Sequence, residues 1–148
     1  MASEISLIYD VAVKEVGYLE KATNAYLDDK TKNAGYNNYT KYWRDLCKKG
    51  MLSGLGSGFG PNSGFAGGYN WPYCAAGVSW AMTEALGKER AMELLLHSAT
   101  MCFINCDTLA TRSREKGQLV STPTAGDIAL FYNGSNYYHT EFVWEVSN

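Results

Sequence analysis

The chain has 148 residues, of which 46% are apolar, 14% aromatic and 19% charged. That is room for one domain with its own core, because a chain of this size buries roughly two-thirds of its unfolded surface, and the apolar share excludes a disordered tail. Thirteen Lys and Arg against fifteen Asp and Glu leave a formal charge of −2, which argues against nucleic acid as a partner.

No apolar run approaches the roughly 18 residues of a membrane span, so no membrane insertion is expected. The start, Met1-Ala2-Ser3-Glu4, has neither a basic nor an apolar leader region. The expectation is therefore synthesis in the cytoplasm without a signal peptide, and a disulfide framework is disfavoured. The cysteines Cys47, Cys74, Cys102 and Cys106 lack zinc-ligand spacing, and no metal site is expected.

Ile5, Ile8, Ala12, Val16 and Leu19 recur at helical steps behind Ser3 as N-cap, which predicts an amphipathic helix of about 15 residues. Asp28 to Gly35 is polar and breaks the period, a loop leading to a cap at Asn37 or Asn38. Its Asp28-Asp29 pair lacks the alternating acids of a calcium loop and reads as a solvated turn. A second helix carries Tyr39, Tyr42, Trp43, Leu46 and Cys47 and stops at Gly50. Between Gly50 and Gly68 eight of nineteen residues are glycine, a density that predicts a mobile loop at 50–68 inside a single 1–148 domain.

Pro72 marks the next helix start, and Ala76, Val78, Ala81, Met82 and Ala85 carry the apolar pattern to a stop at Gly87. Further helices are predicted over Glu89 to His97 and Asn105 to Lys116. His97 is expected at a helix end, and Cys102 and Cys106 as core sulfurs. Strands are predicted over Asp127 to Tyr132 and His139 to Val146, with a turn at Asn133 to Asn136 and Asp127 fixing the turn before the first strand. Helices first and strands last define an α+β class. Two strands alone are marginal. Either the sheet borrows an edge through strand exchange or edge-to-edge pairing in a homodimer, or the chain is a fragment whose remaining C-terminal strands lie beyond Asn148.

Cys74 and His139 stand out chemically. A cysteine in the first turn of a helix meets backbone N–H groups and a dipole that favour the thiolate, and the same N–H groups can hold an oxyanion. A histidine at the start of a strand, straight after a turn, is held rigidly with its edge open to a cleft.

Three segments, in order, carry a resemblance. Trp71-Pro72-Tyr73-Cys74-Ala75-Ala76-Gly77-Val78-Ser79-Trp80 resembles the nucleophile helix of cysteine/histidine-dependent amidohydrolase/peptidase (CHAP) domains, related to the NlpC-type papain-like superfamily. Pro123 to Phe131 resembles their P-x-x-G-D-I-x-x-F strand, and His139-Thr140-Glu141-Phe142-Val143 their H-x-G-I-V strand. Val16-Gly17-Tyr18 and Asn38 to Tyr42 resemble the N-terminal part of such domains in lysins of Gram-positive bacteria and their phages.

The resemblance implies a papain-like fold and cleavage of an amide in peptidoglycan, as endopeptidase or N-acetylmuramoyl-L-alanine amidase, with Cys74 as nucleophile, His139 as base and no cofactor. It also implies a lysin, such as a phage endolysin, that acts at the cell wall after release. Several positions depart from the pattern. Tyr73 stands where the family has Trp, Trp71 where many members have Gln, and Glu141 where Gly is usual. The family's third catalytic residue, on the following strand, has no counterpart in the nine residues after His139. Glu141 shares the His139 face by two-residue periodicity and is the candidate within the chain for orienting the imidazole, the alternative being that it lines a cleft or meets a basic side chain. Trp71, Tyr73, Tyr137 and Tyr138 flank both positions, either as walls for a glycopeptide, with Trp71, Tyr73 and Tyr138 the substrate-binding candidates, or as core. The rival functions are a noncatalytic cell-wall or glycan-binding module on this fold and an acyltransferase.

Overall fold

The computed structural model describes residues 2–61, 70–95 and 105–147. In chain order the elements are α1 (Glu4–Lys14), α2 (Lys41–Lys48), two 3-10 turns (Ser53–Leu55 and Ser57–Phe59), α3 (Cys74–Leu86), α4 (Lys88–Leu94), α5 (Cys106–Glu115), β1 (Ile128–Tyr132) and β2 (Tyr137–Phe142). Helices precede strands, as the sequence predicts for an α+β chain.

Helix α3 is the centre of the molecule. Its sequence, Cys-Ala-Ala-Gly-Val-Ser-Trp-Ala-Met-Thr-Glu-Ala-Leu, is small or apolar on nearly every side, and residues from Ala75 to Thr83, apart from Gly77, are buried. A helix without a polar face must be enclosed, and α1, α2, α4 and β2 all pack on it. Its polar groups are paired inside: Thr83 Oγ1 donates to the Ser79 carbonyl at 2.7 Å, and Trp80 Nε1 to Asp45 Oδ2 at 3.0 Å. From α2, Tyr42, Trp43, Leu46 and Cys47 enter the same core.

The structure shortens α1. Ser3 caps it, accepting from the Ser6 N–H at 3.1 Å, but the helix ends at Lys14, and Val16 and Leu19, expected on its buried face, are exposed. Two forces end it: Gly17 adopts φ +86°, and Glu15 is drawn away to Lys41 Nζ at 2.8 Å and the Tyr42 hydroxyl at 3.1 Å. The cap of α2 is Thr40, not Asn37 or Asn38. Asn37 instead donates to the Ala22 carbonyl, and Asn38 turns to φ +60° with its N–H on Glu20.

This irregular segment is organised by a lysine. Lys21 is fully buried; its backbone N–H donates to Tyr39 O at 2.9 Å and its Nζ to Lys30 O at 3.0 Å. The ammonium lies over the Tyr18 ring, and burial pushes its pKa down. Beside it, Asp28 makes a two-point ion pair with Arg44, and Asp29 accepts the Thr31 and Lys32 N–H groups.

The predicted mobile loop is in part folded. Met51 and Leu52 are completely buried and lead into the two 3-10 turns, because these two apolar side chains anchor the start of the glycine-rich stretch to the core. Positions 62–68 of that stretch, together with Tyr69, His97 and Cys102, lie outside the described residues.

β1 and β2 form an antiparallel pair in the register Ile128↔Phe142, Ala129↔Glu141, Leu130↔Thr140 and Phe131↔His139. The turn is held by Asn133, whose Oδ1 accepts the Ser135 and Asn136 N–H groups. β2 starts two residues earlier than the sequence suggests and stops at Phe142, so His139 lies within the strand and does not open it. The start is set from outside: Asp107 Oδ1 on α5 accepts the Tyr137 N–H at 2.7 Å. The end is set by α1, where Tyr9 stacks on Trp144 with ring centroids 4.0 Å apart and its hydroxyl donates to the Val143 carbonyl. Among the described residues the sheet has two strands. Ile128, Leu130, Tyr137 and Phe142 pack on the core and α3 and α5 lie against β2, which supplies the support an isolated hairpin lacks.

Gly126 precedes β1 at φ +98°, and a Cβ there would lie 2.4 Å from Ile5 Cδ1 of α1. Gly126→Ala should therefore destabilise the fold by about 1–3 kcal/mol, from backbone strain and overpacking together. Adding Ile5→Ala should relieve only the steric part, as read from urea denaturation midpoints of the two variants.

Candidate active site

Two helix N-termini and one strand converge here. Pro72 cannot continue a helix backwards, and Tyr73 takes up the N-cap of α3 at φ −117° without a side-chain cap bond. Cys74 is thus the first helical residue, half-buried, with the unpaired N–H groups of the first turn around it. The Ala75 N–H favours the charged form of its sulfur. These donors satisfy an anion, whether the thiolate or an oxyanion formed beside it.

β2 brings His139 near enough to Cys74 for each side chain to favour the charged form of the other. The other side of the ring is engaged within the same strand: His139 Nε2 donates to Glu141 Oε1 at 2.9 Å. Nε2 is thereby committed to the carboxylate. The side chains of His139 and Glu141 are 41% and 59% exposed, so the pair contributes orientation more than stability. Phe131, directly opposite His139, packs against its ring at 5.5 Å between centroids.

Sequence reasoning missed two residues. Cys106, expected as an inert core sulfur, is buried as predicted, but it is the first residue of α5 and its Sγ lies 4.0 Å from Cys74 Sγ. Asp107, next in line, fixes the β2 backbone two residues before His139 through the Tyr137 N–H. Neither carries a sequence signal, because the meeting of the α5 and α3 N-termini is purely tertiary.

Of the aromatic candidates, Trp71 meets Trp43 edge to face at 5.6 Å, and its carbonyl accepts the Trp43 Nε1–H at 2.9 Å. Tyr73 lies 6.1 Å from the Tyr42 ring and is partly buried. Both therefore join the core while keeping part of their surface exposed next to Cys74. Tyr137 is also half-buried, whereas Tyr138 is 57% exposed beside Phe131.

The electrostatics favour an ion pair. Cys74 is lowered to about 5, first by the hydrogen bond from the Cys106 thiol and, against the opposing pull of burial, by the nearby His139 and Ala75 N–H. Cys106 is raised by the same contact, by burial and by the neighbouring negative charge. For His139, burial works downward, and the bond to Glu141 together with the nearby Cys74 outweighs it and raises the pKa. A thiolate beside an imidazolium can attack a carbonyl and then protonate the leaving group.

Among the described residues no group of three or more His, Cys, Asp or Glu side chains is placed to hold a metal, and no helix is long and apolar enough to cross a membrane. An open depression of about 600 Å³ lined by Asn24, Tyr26, Asp28, Arg44 and Lys48 contains none of these reactive groups.

A family model described as CHAP domain matches residues 64–148, more than half of the chain and inclusive of Cys74, His139 and Glu141. No curated protein and no solved structure matches. The N-terminal similarity noted at Val16 to Tyr18 and Asn38 to Tyr42 lies outside the matched span.

Because Cys74 ionises near pH 5, its alkylation by iodoacetamide should rise as the pH is raised through that region and be well advanced at pH 6. Ordinary thiols, with pKa about 8.5, react there only slowly. Peptide mapping of Cys74 against Cys47 from pH 4 to 9 (range about that of thiol titration) checks this; equal rates for both at pH 6 would refute it.

Proposed function

Since the chain belongs to the CHAP domain family, whose activity is of the peptidoglycan amidohydrolase and peptidase type, we propose that it is a cell-wall hydrolase using Cys74, His139 and Glu141. The observation that carries this assignment is the His139–Glu141 pair at 2.9 Å set beside a helix-start Cys74 whose ionised form His139 favours.

The Cys74 thiolate attacks an amide carbonyl, and the oxyanion forms against the N–H groups at the start of α3. His139 passes its proton to the departing amine, leaving a thioester on Cys74. Water then adds to the thioester with His139 taking its proton; the carboxylate product departs and the thiol is restored. Glu141 holds the imidazole and favours the imidazolium. It occupies the third role from two residues along the same strand, where the family pattern has glycine and takes the third residue from the next strand.

In this reading the bond cut is in the stem or cross-bridge peptides, or between muramic acid and L-alanine. The exposed parts of Trp71, Tyr73 and Tyr138 flank the scissile bond and receive the glycopeptide through their ring faces.

Cys74→Ala should lower release of new amine termini from purified Gram-positive peptidoglycan by at least about 10³-fold. Glu141→Gln should lower it by roughly tenfold or more and shift the basic limb of the pH profile downward, because the His139 imidazolium loses its counter-charge. Mass spectrometry of the products identifies the bond. Equal absence of products with the parent and Cys74→Ala would favour a wall-binding module, and an unchanged Glu141→Gln profile would remove Glu141 from the site.

A further inference from the structure

Cys106 has a position that packing alone does not require. Its sulfur is buried at the first residue of α5 and stands 4.0 Å from that of Cys74, which is half-buried at the first residue of α3. Closing that gap to the roughly 2.05 Å of a disulfide takes about 2 Å of relative movement by two side chains that already face each other. An accessible thiolate beside a sheltered second thiol is the arrangement in which oxidation is captured reversibly.

We propose that Cys74 and Cys106 form a thiol–disulfide couple, in which Cys106 traps an oxidised Cys74 and so switches the site off reversibly under peroxide.

The Cys74 thiolate attacks the O–O bond of hydrogen peroxide, becoming the sulfenic acid while the released hydroxide takes a proton to form water. Cys106 then loses its proton, its sulfur attacks the Cys74 sulfur, and the expelled hydroxide leaves as a second water. Each sulfur gives up one electron, and the peroxide is reduced to two waters. A dithiol reductant returns both thiols by exchange. Without Cys106 the sulfenic acid is open to further peroxide and advances to the irreversible sulfinic acid. The switching role rests on the assignment of Cys74 as nucleophile; formation of the bond does not.

The experiment treats the full chain with hydrogen peroxide and maps its peptides without reduction, beside Cys106→Ser and, should that variant fold poorly, Cys106→Ala. The parent should lose two hydrogens in mass, yield a linked Cys74–Cys106 peptide, stop releasing amine termini from peptidoglycan, and recover with dithiothreitol. The variants should instead gain two or three oxygens on Cys74 and fail to recover. Cys47, whose thiol donates to the Gly60 carbonyl at 3.3 Å, serves as internal control. A parent that over-oxidises at Cys74 without a link, or links Cys74 to Cys102 or Cys47, would overturn the couple. A Cys74–Cys106 link that leaves hydrolysis intact would support the couple and overturn Cys74 as the nucleophile.

Discussion

The enclosure of α3 is the constraint on which the rest depends. A helix that is small or apolar on almost every side has one solution in water, which is to be surrounded, and α1, α2, α4 and β2 do so. Once surrounded it cannot rotate, and the direction of its first residue is fixed. Cys74 therefore inherits its geometry from Ala75, Ala76, Val78 and Trp80, whose burial stabilises the fold by hydrophobic transfer. The same end of the helix supplies the N–H groups that favour negative charge.

The second constraint is the placement of β2, which comes from three directions. Asp107 holds its beginning, Phe142 and the neighbouring inward side chains rest on the core, and Tyr9 grips the chain just past its end. The helix α1, outside the span that matches the family model, thereby positions the strand that carries His139. Ile5 against Gly126 does the same for β1. This explains physically why the glycine of the Gly-Asp pair must be glycine: the backbone is left-handed there and a helix side chain fills the space of a Cβ. Asp127 follows with its carboxylate on the Thr124 N–H and hydroxyl, locking the turn that aims the strand.

At the site itself charge is compensated at every step. The sulfur faces the N–H groups of α3, the Cys106 thiol and the imidazole, and the imidazole faces Glu141. Each neighbour favours the separated charges over the neutral pair. The Glu141 contact is short in sequence and exposed, a local solution to orienting a histidine that needs only the alternation of a strand. The Cys106 contact is the opposite, reaching across the fold.

What the sequence determined was periodic and local. The cap at Ser3, the stop at Gly87, the place of Cys74 in the first turn of α3 and the shared face of His139 and Glu141 all follow from rules spanning a few residues, although α3 begins at Cys74 and not at Pro72. Tertiary structure decided what depends on partners far along the chain. Glu15 left its helix for Lys41 and Tyr42, Lys21 gathered an irregular segment around a buried ammonium, and Met51 and Leu52 drew the start of a glycine-rich stretch into the core. Cys106 looked like a core sulfur because only its own helical face was legible. Its place beside Cys74 arises when the ends of two helices meet, and no short-range rule fixes the separation of two residues that the chain itself keeps far apart.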